Sequence, residues 1–149
     1  MITNHVYQRV FRLRYGDNSG TCFTVDVDDR QYLVTARHVV PDIGDRARVG
    51  IHYKGDWSPL DVTKVGDAAQ GADITVLAPS VRLSGAGPLP MKSDDIIFGQ
   101  DTYFLGFPHG YDQLRWMKAF GSTAYAVVRG SAAGAARYDV QPLEGAEPP

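Results

Sequence analysis

Residues 21–40 read TCFTVDVDDRQYLVTARHVV: two runs rich in β-branched and aromatic residues, parted by Asp28, Asp29 and Arg30, the second ending on a histidine among valines. Short apolar runs bounded by polar turn formers are the signature of a β-hairpin. The alternation through Phe23, Val25 and Val27 marks a strand with one buried face. Nothing in strand propensity asks for an imidazole at the end of the second run. His38 reads either as a half-buried, hydrogen-bonded residue or as a group placed there for chemistry.

The same texture extends outward in both directions. HVYQRVFRLRY (5–15) precedes the hairpin and is followed by the turn GDNSG. RARVGIHY (46–53) and DVTKV (61–65) flank the turn KGDWSP, and ITVLAP (74–79) ends at a proline. Six short strands without a helical period predict an all-β, antiparallel six-stranded barrel over residues 1–83. Its core is expected to take in Phe23, Val25, Leu33, Val76 and Leu77.

From Ser84 to Gly99 the chain becomes rich in Gly, Pro and Ser, the composition of a connection, and residues 84–100 are assigned as a linker. DTYFLGF (101–107), MKAFGSTAYAVV (117–128) and RYDV (137–140) then resume the strand pattern. They predict an incomplete second barrel over 101–149, with too few strands to close. Open strand edges are a known route to association, so self-association through this second unit is expected.

Composition narrows the function classes. With 15 Lys+Arg against 17 Asp+Glu the net charge is −2, and no basic cluster tracks a phosphate backbone, so nucleic acid is not expected as a partner. The N-terminus MITNHVYQRV lacks a signal-peptide pattern, and no run approaches the roughly 18 apolar residues of a membrane span. No membrane partner is expected, and a cytoplasmic location is. Cys22 is the single cysteine, which excludes an internal disulfide and reads as a small core hydrophobe in mid-strand. His5, His38, His52 and His109 are scattered without metal-ligand spacing. DVDD (26–29) does not continue as a calcium loop, since Gln31 and Arg37 fall where glycine and glutamate are required.

Three segments in fixed order carry the chemistry: SGTCFTVDV (19–27) leading to LVTARHVV (33–40), then GADITVLAP (71–79), then TYFLGFPHG (102–110). Together they resemble the first half of a trypsin-like (chymotrypsin-fold) serine peptidase, most like the bacterial branch that includes the Deg/Htr enzymes. The resemblance implies that His38 is the general base and Asp73 the carboxylate that orients it. It also implies protein or peptide substrates, cleavage through an acyl-enzyme, and no cofactor or metal. Imidazole suits the base because its unperturbed pKa lies near neutrality, and a carboxylate on its second ring nitrogen fixes the tautomer.

The nucleophile of that family lies in Gly-x-Ser-Gly-Gly-Pro, and no Ser-Gly-Gly occurs among Ser19, Ser58, Ser80, Ser84, Ser93, Ser122 and Ser131. Ser19 is followed by Gly20 and then Thr21, Ser131 stands in GSAAG, and Cys22 is a buried-strand residue, so none is assigned as nucleophile. YDVQPLEGAEPP (138–149) resembles the approach to that motif, which places the expected serine just beyond Pro149. The 149 residues by themselves are then expected to be inactive. The alternative is a non-catalytic module that keeps the fold as a binding or sensing surface.

Overall fold

A computed structural model describes residues 3–89, 101–107, 114–120 and 143–145 of the chain. The chain divides into two compact units, one formed by Met1–Leu89 with Gly106–Gln113, the other by Pro90–Leu105 with Leu114–Pro149.

The first unit is all-β apart from short turns. Its strands are β1 (Val10–Tyr15), β2 (Asn18–Val27), β3 (Arg30–Thr35), β4 (Arg46–Tyr53), β5 (Asp56–Asp67) and β6 (Thr75–Pro79). They close into an antiparallel barrel in the order β1-β2-β3-β6-β5-β4. Two-residue loops join three of the pairs. Asp28 and Asp29 both take positive φ (50° and 62°) between β2 and β3, as do Lys54 and Gly55 (50° and 88°) between β4 and β5. That backbone matches the right-handed twist of the flanking strands, and short Asp side chains tolerate it better than most. Gly16 supplies the positive φ between β1 and β2.

The core gathers Phe11, Leu13, Cys22, Leu33, Val49, Ile51, Leu60, Val62 and Leu77 from all six strands, with Val39, Val40 and Ile43 closing over it after β3. Leu33 and Leu77 face inward as expected, fully buried. Phe23, Val25 and Val76 do not. On β2 the inward residues are Cys22 and Thr24, and Phe23 is 43% exposed. On β6 the inward residues are Thr75 and Leu77. Side chains alternate strictly along a strand, so Val76 and Leu77 cannot share a face. On β2 the small residues point into the barrel and the larger ones outward.

Two boundaries also move. Residues 5–15 are not one strand: Asn4–Tyr7 form a single helical turn, closed by Gln8 N–H donating to the Asn4 carbonyl at 3.0 Å, and β1 begins at Val10. β5 starts at Asp56, so Trp57, Ser58 and Pro59, expected in a turn, lie in the strand. Proline is tolerated there because residues 56–60 pair with β4 alone, leaving one side of the strand without a ladder.

Residues 81–89 contain no strand, yet Ser84 and Ala86 are buried. Gln31 accepts from the Leu83 and Ser84 N–H groups at 2.7 and 3.0 Å and donates to the Ser84 carbonyl at 3.0 Å. Arg9, 2% exposed, donates to the Ala86 carbonyl at 2.9 Å and pairs with Asp26 at 3.1 Å. A buried guanidinium is tolerated because an anion and a carbonyl meet it.

Asp101–Gly106 (β7), Arg115–Phe120 (β8) and Leu143–Gly145 (β9) form a three-stranded sheet in that order, all but Gly106 belonging to the second unit. The expected strands at 121–128 and 137–140 lie outside the described residues. No helix among the described residues is long and apolar enough to cross a membrane.

Candidate active site

His38 occupies a single 3-10 turn, Arg37–Val39, that begins two residues beyond the end of β3. The turn forms because Val39 N–H donates to the Ala36 carbonyl at 3.0 Å and Val40 N–H to the Arg37 carbonyl at 3.1 Å. Val39 and Val40 are buried and His38 is exposed. The valines therefore anchor the turn in the barrel end and leave the imidazole at the rim. This answers why a histidine can end an apolar run: the chain leaves the strand just before it.

Val39 packs against Gly20 of β2. A Cβ on Gly20 would come within 2.6 Å of Val39 Cγ2, closer than real side chains approach. The absence of a side chain at Gly20 is what lets the His38 turn lie down on β2. One residue on, Thr21 ties in two further segments. Its carbonyl accepts from Thr35 Oγ1 at 2.9 Å, and its Oγ1 accepts from Phe107 N–H at 2.7 Å.

Asp73 stands two residues before β6, after a turn at Ala69–Gly71 in which Gln70 and Gly71 both have positive φ. It grips His38 twice. Oδ1 accepts the His38 backbone N–H at 2.9 Å, and Oδ2 lies 2.5 Å from ring Nδ1. The ring contact is the largest influence on Asp73, followed by the backbone N–H, and together they hold its carboxyl below the usual carboxylate range; the nearby Arg37 charge acts in the same direction. An ionised carboxylate only accepts, so Nδ1 carries the proton and Nε2 of a neutral ring keeps its lone pair. The pair is open, with side-chain exposures of 73% for His38 and 52% for Asp73.

Asp67 does not compete for His38. It accepts from Thr75 Oγ1 at 2.6 Å and from Lys64 Nζ at 3.1 Å, contacts that lower its own pKa in that order. Ser19 is exposed on β2 opposite Arg14. Cys22 is fully buried, and desolvation pushes its thiol up to about 12, the opposite of what a nucleophile needs. Ser93, Ser122 and Ser131 lie outside the described residues, as does His109. Among the described residues no His, Cys, Asp or Glu cluster is gathered as for a metal.

Sequence reasoning missed Gly20 as the seat of Val39 and the backbone half of the Asp73 grip. The first was signalled by a glycine within a strand, the third residue of β2. Main-chain contacts of this kind leave no mark on residue types.

The family described as the trypsin-like peptidase domain has a model that matches residues 20–146. No curated protein matches the sequence. Among solved structures, the crystal structure of Deg5 is similar at a TM-score of 0.55 and 22% identity, over 77% of this chain and 57% of that one. At that identity the likeness speaks for the fold. The chain thus spans a little over half the length of that matched structure.

Proposed function

The chain belongs to the trypsin-like peptidase domain family, and from that premise we propose that it is the N-terminal part of a serine endopeptidase, with His38 as general base and Asp73 as its orienting carboxylate. In this reading Nε2 of His38 takes the proton of a serine hydroxyl as it attacks the scissile carbonyl, and returns it to the leaving amine. Asp73 holds the ring in the productive tautomer and stabilises the imidazolium formed in between. The serine and the oxyanion-stabilising amides are supplied by a Gly-x-Ser-Gly-Gly-Pro segment beyond residue 149, a reading supported by the lack of Ser-Gly-Gly within the chain. Protein or peptide substrates follow from the same reading.

The observation that carries the proposal is the double attachment of His38 to Asp73. Fluorophosphonate labelling tests it. A chain extended through the downstream serine should label at that serine, and His38→Ala should slow labelling by at least about 10⁴-fold. The 149 residues alone should not label. Labelling at Ser19, or undiminished labelling of the His38→Ala chain, would contradict it.

The missing Ser-Gly-Gly also favours a second reading, a non-catalytic module of the same fold. An extended chain that binds peptides and never labels would support that reading instead.

A further inference from the structure

The outer faces of β1, β4 and β5 carry a cluster that the dyad does not use. Side chains alternate along these strands, so residues outside the core line up across the register: Arg12 beside His52 beside Trp57, and Arg14 beside Gly50 beside Pro59. Trp57 is the centre. The Arg14 guanidinium lies 4.3 Å from the Trp57 ring centroid and the Arg12 guanidinium 5.3 Å from it, and His52 meets the ring edge-on at 5.2 Å.

Gly50 makes the arrangement possible. A Cβ there would touch Trp57 Cε3 at 3.3 Å and Arg14 Nε at 3.4 Å, so its absence lets indole and guanidinium settle together on the sheet. The result is a shallow groove of about 280 Å³ between the β1–β2 turn and β5.

The charge is unbalanced. Among the described residues neither Arg12 nor Arg14 has a carboxylate partner. Arg48, further along β4, is taken by Asp61 at 2.8 Å. A guanidinium stacked on an indole is held in plane while its N–H edge stays open for a bidentate acceptor, and little rotamer freedom remains to be lost on binding.

From this geometry we infer that the Arg12–Trp57–Arg14 face is an exosite for an acidic peptide segment, Arg14 receiving a Glu or Asp carboxylate and Trp57 the neighbouring side chain. The site is independent of the dyad's chemistry. A polyphosphate chain fits less well, because the two free guanidiniums form a point and not a track, and the chain as a whole carries a net charge of −2.

The test is titration of the 149-residue chain with an N-acetylated, C-amidated hexaglutamate peptide, reading Trp57 emission in a Trp116→Phe background. Hexaglutamine and a single-stranded oligonucleotide serve as comparisons. The acidic peptide should shift Trp57 emission saturably and hexaglutamine should not. Arg14→Ala, at an exposed position, should weaken binding about fivefold, the equivalent of ~1 kcal/mol. Asp61→Asn should strengthen it by freeing Arg48 at the end of the same groove. No saturable shift, an equal response to hexaglutamine, or indifference to both variants would overturn the exosite. Tighter binding of the oligonucleotide than of the peptide would overturn it in favour of a nucleic-acid surface.

Discussion

Asp73 is the residue on which the site turns, and its chemistry makes a pH prediction. Its carboxyl is held below the ordinary value of 3.8, first by the His38 ring and then by the His38 backbone N–H. A group depressed in the folded state stabilises the fold above its unfolded pKa, and that contribution is lost as pH falls through the native value. Titration of the Asp73 carboxyl by NMR should give a midpoint below 3.8, moving back upward in His38→Ala. Cys22 makes the opposite case. With its thiol pushed up to about 12 by burial, it should resist a disulfide reagent at pH 8 in the native chain and react fully once the chain is unfolded. The motif order singled out His38 and Asp73 in the sequence, and the structure brings the two into contact. Their second contact, through the His38 main chain, was not legible there, because it depends on where the turn after β3 points its N–H.

At the scale of elements, the barrel's hairpins and its inward faces were unequally visible. β4 could be read to its last residue because RARVGIHY is bounded on both sides by turn formers. β2 misled, since Phe23 and Val25 have higher apolar content than the Cys22 and Thr24 that actually face the core. Periodicity tells that a strand has two faces and leaves undecided which one the closed barrel turns inward. β5 was cut short because Trp57-Ser58-Pro59 resembles a turn, whereas one-sided pairing lets proline stay in the strand. Two substitutions probe these elements. Replacing Asp28-Asp29 by Asn-Gly should raise stability, as Asn-Gly suits two positive φ values best and a like-charge pair is removed; thermal denaturation measures it. Gly20→Ala should destabilise by about 1–3 kcal/mol, since Val39 is buried and cannot swing away, and should disturb His38 signals first.

Across the molecule, the first unit is a closed barrel with a segment fastened to it, and the second unit holds a separate three-stranded sheet. Residues 81–86 are held by Gln31 and Arg9, so a stretch whose glycines and prolines read as free linker begins as packed structure. Composition could not reveal this, because the partners lie 52 to 77 residues away in sequence. Arg9→Met should cost about 3–5 kcal/mol in denaturant unfolding, because it leaves the Asp26 carboxylate, 7% exposed, with the peripheral Arg82 at 3.3 Å and a long contact from the Gln31 amide at 3.4 Å. It should also open residues 81–89 to protease before the barrel itself unfolds. His38 stands in the turn just beyond β3 and Asp73 just before β6, neighbouring strands whose antiparallel register brings the two segments to the same end of the barrel.

The orientation of the imidazole by Asp73 is the central claim, and the ring nitrogens of His38 report on it directly. A two-bond ¹H–¹⁵N correlation spectrum of the 149-residue chain, recorded where the ring is neutral, should show His38 protonated at Nδ1 with an unprotonated Nε2. The Nδ1 proton should lie far downfield, and Asp73→Asn should abolish that tautomer preference. A His38 ring protonated at Nε2, or one whose tautomer is the same with and without the Asp73 carboxylate, would contradict the account.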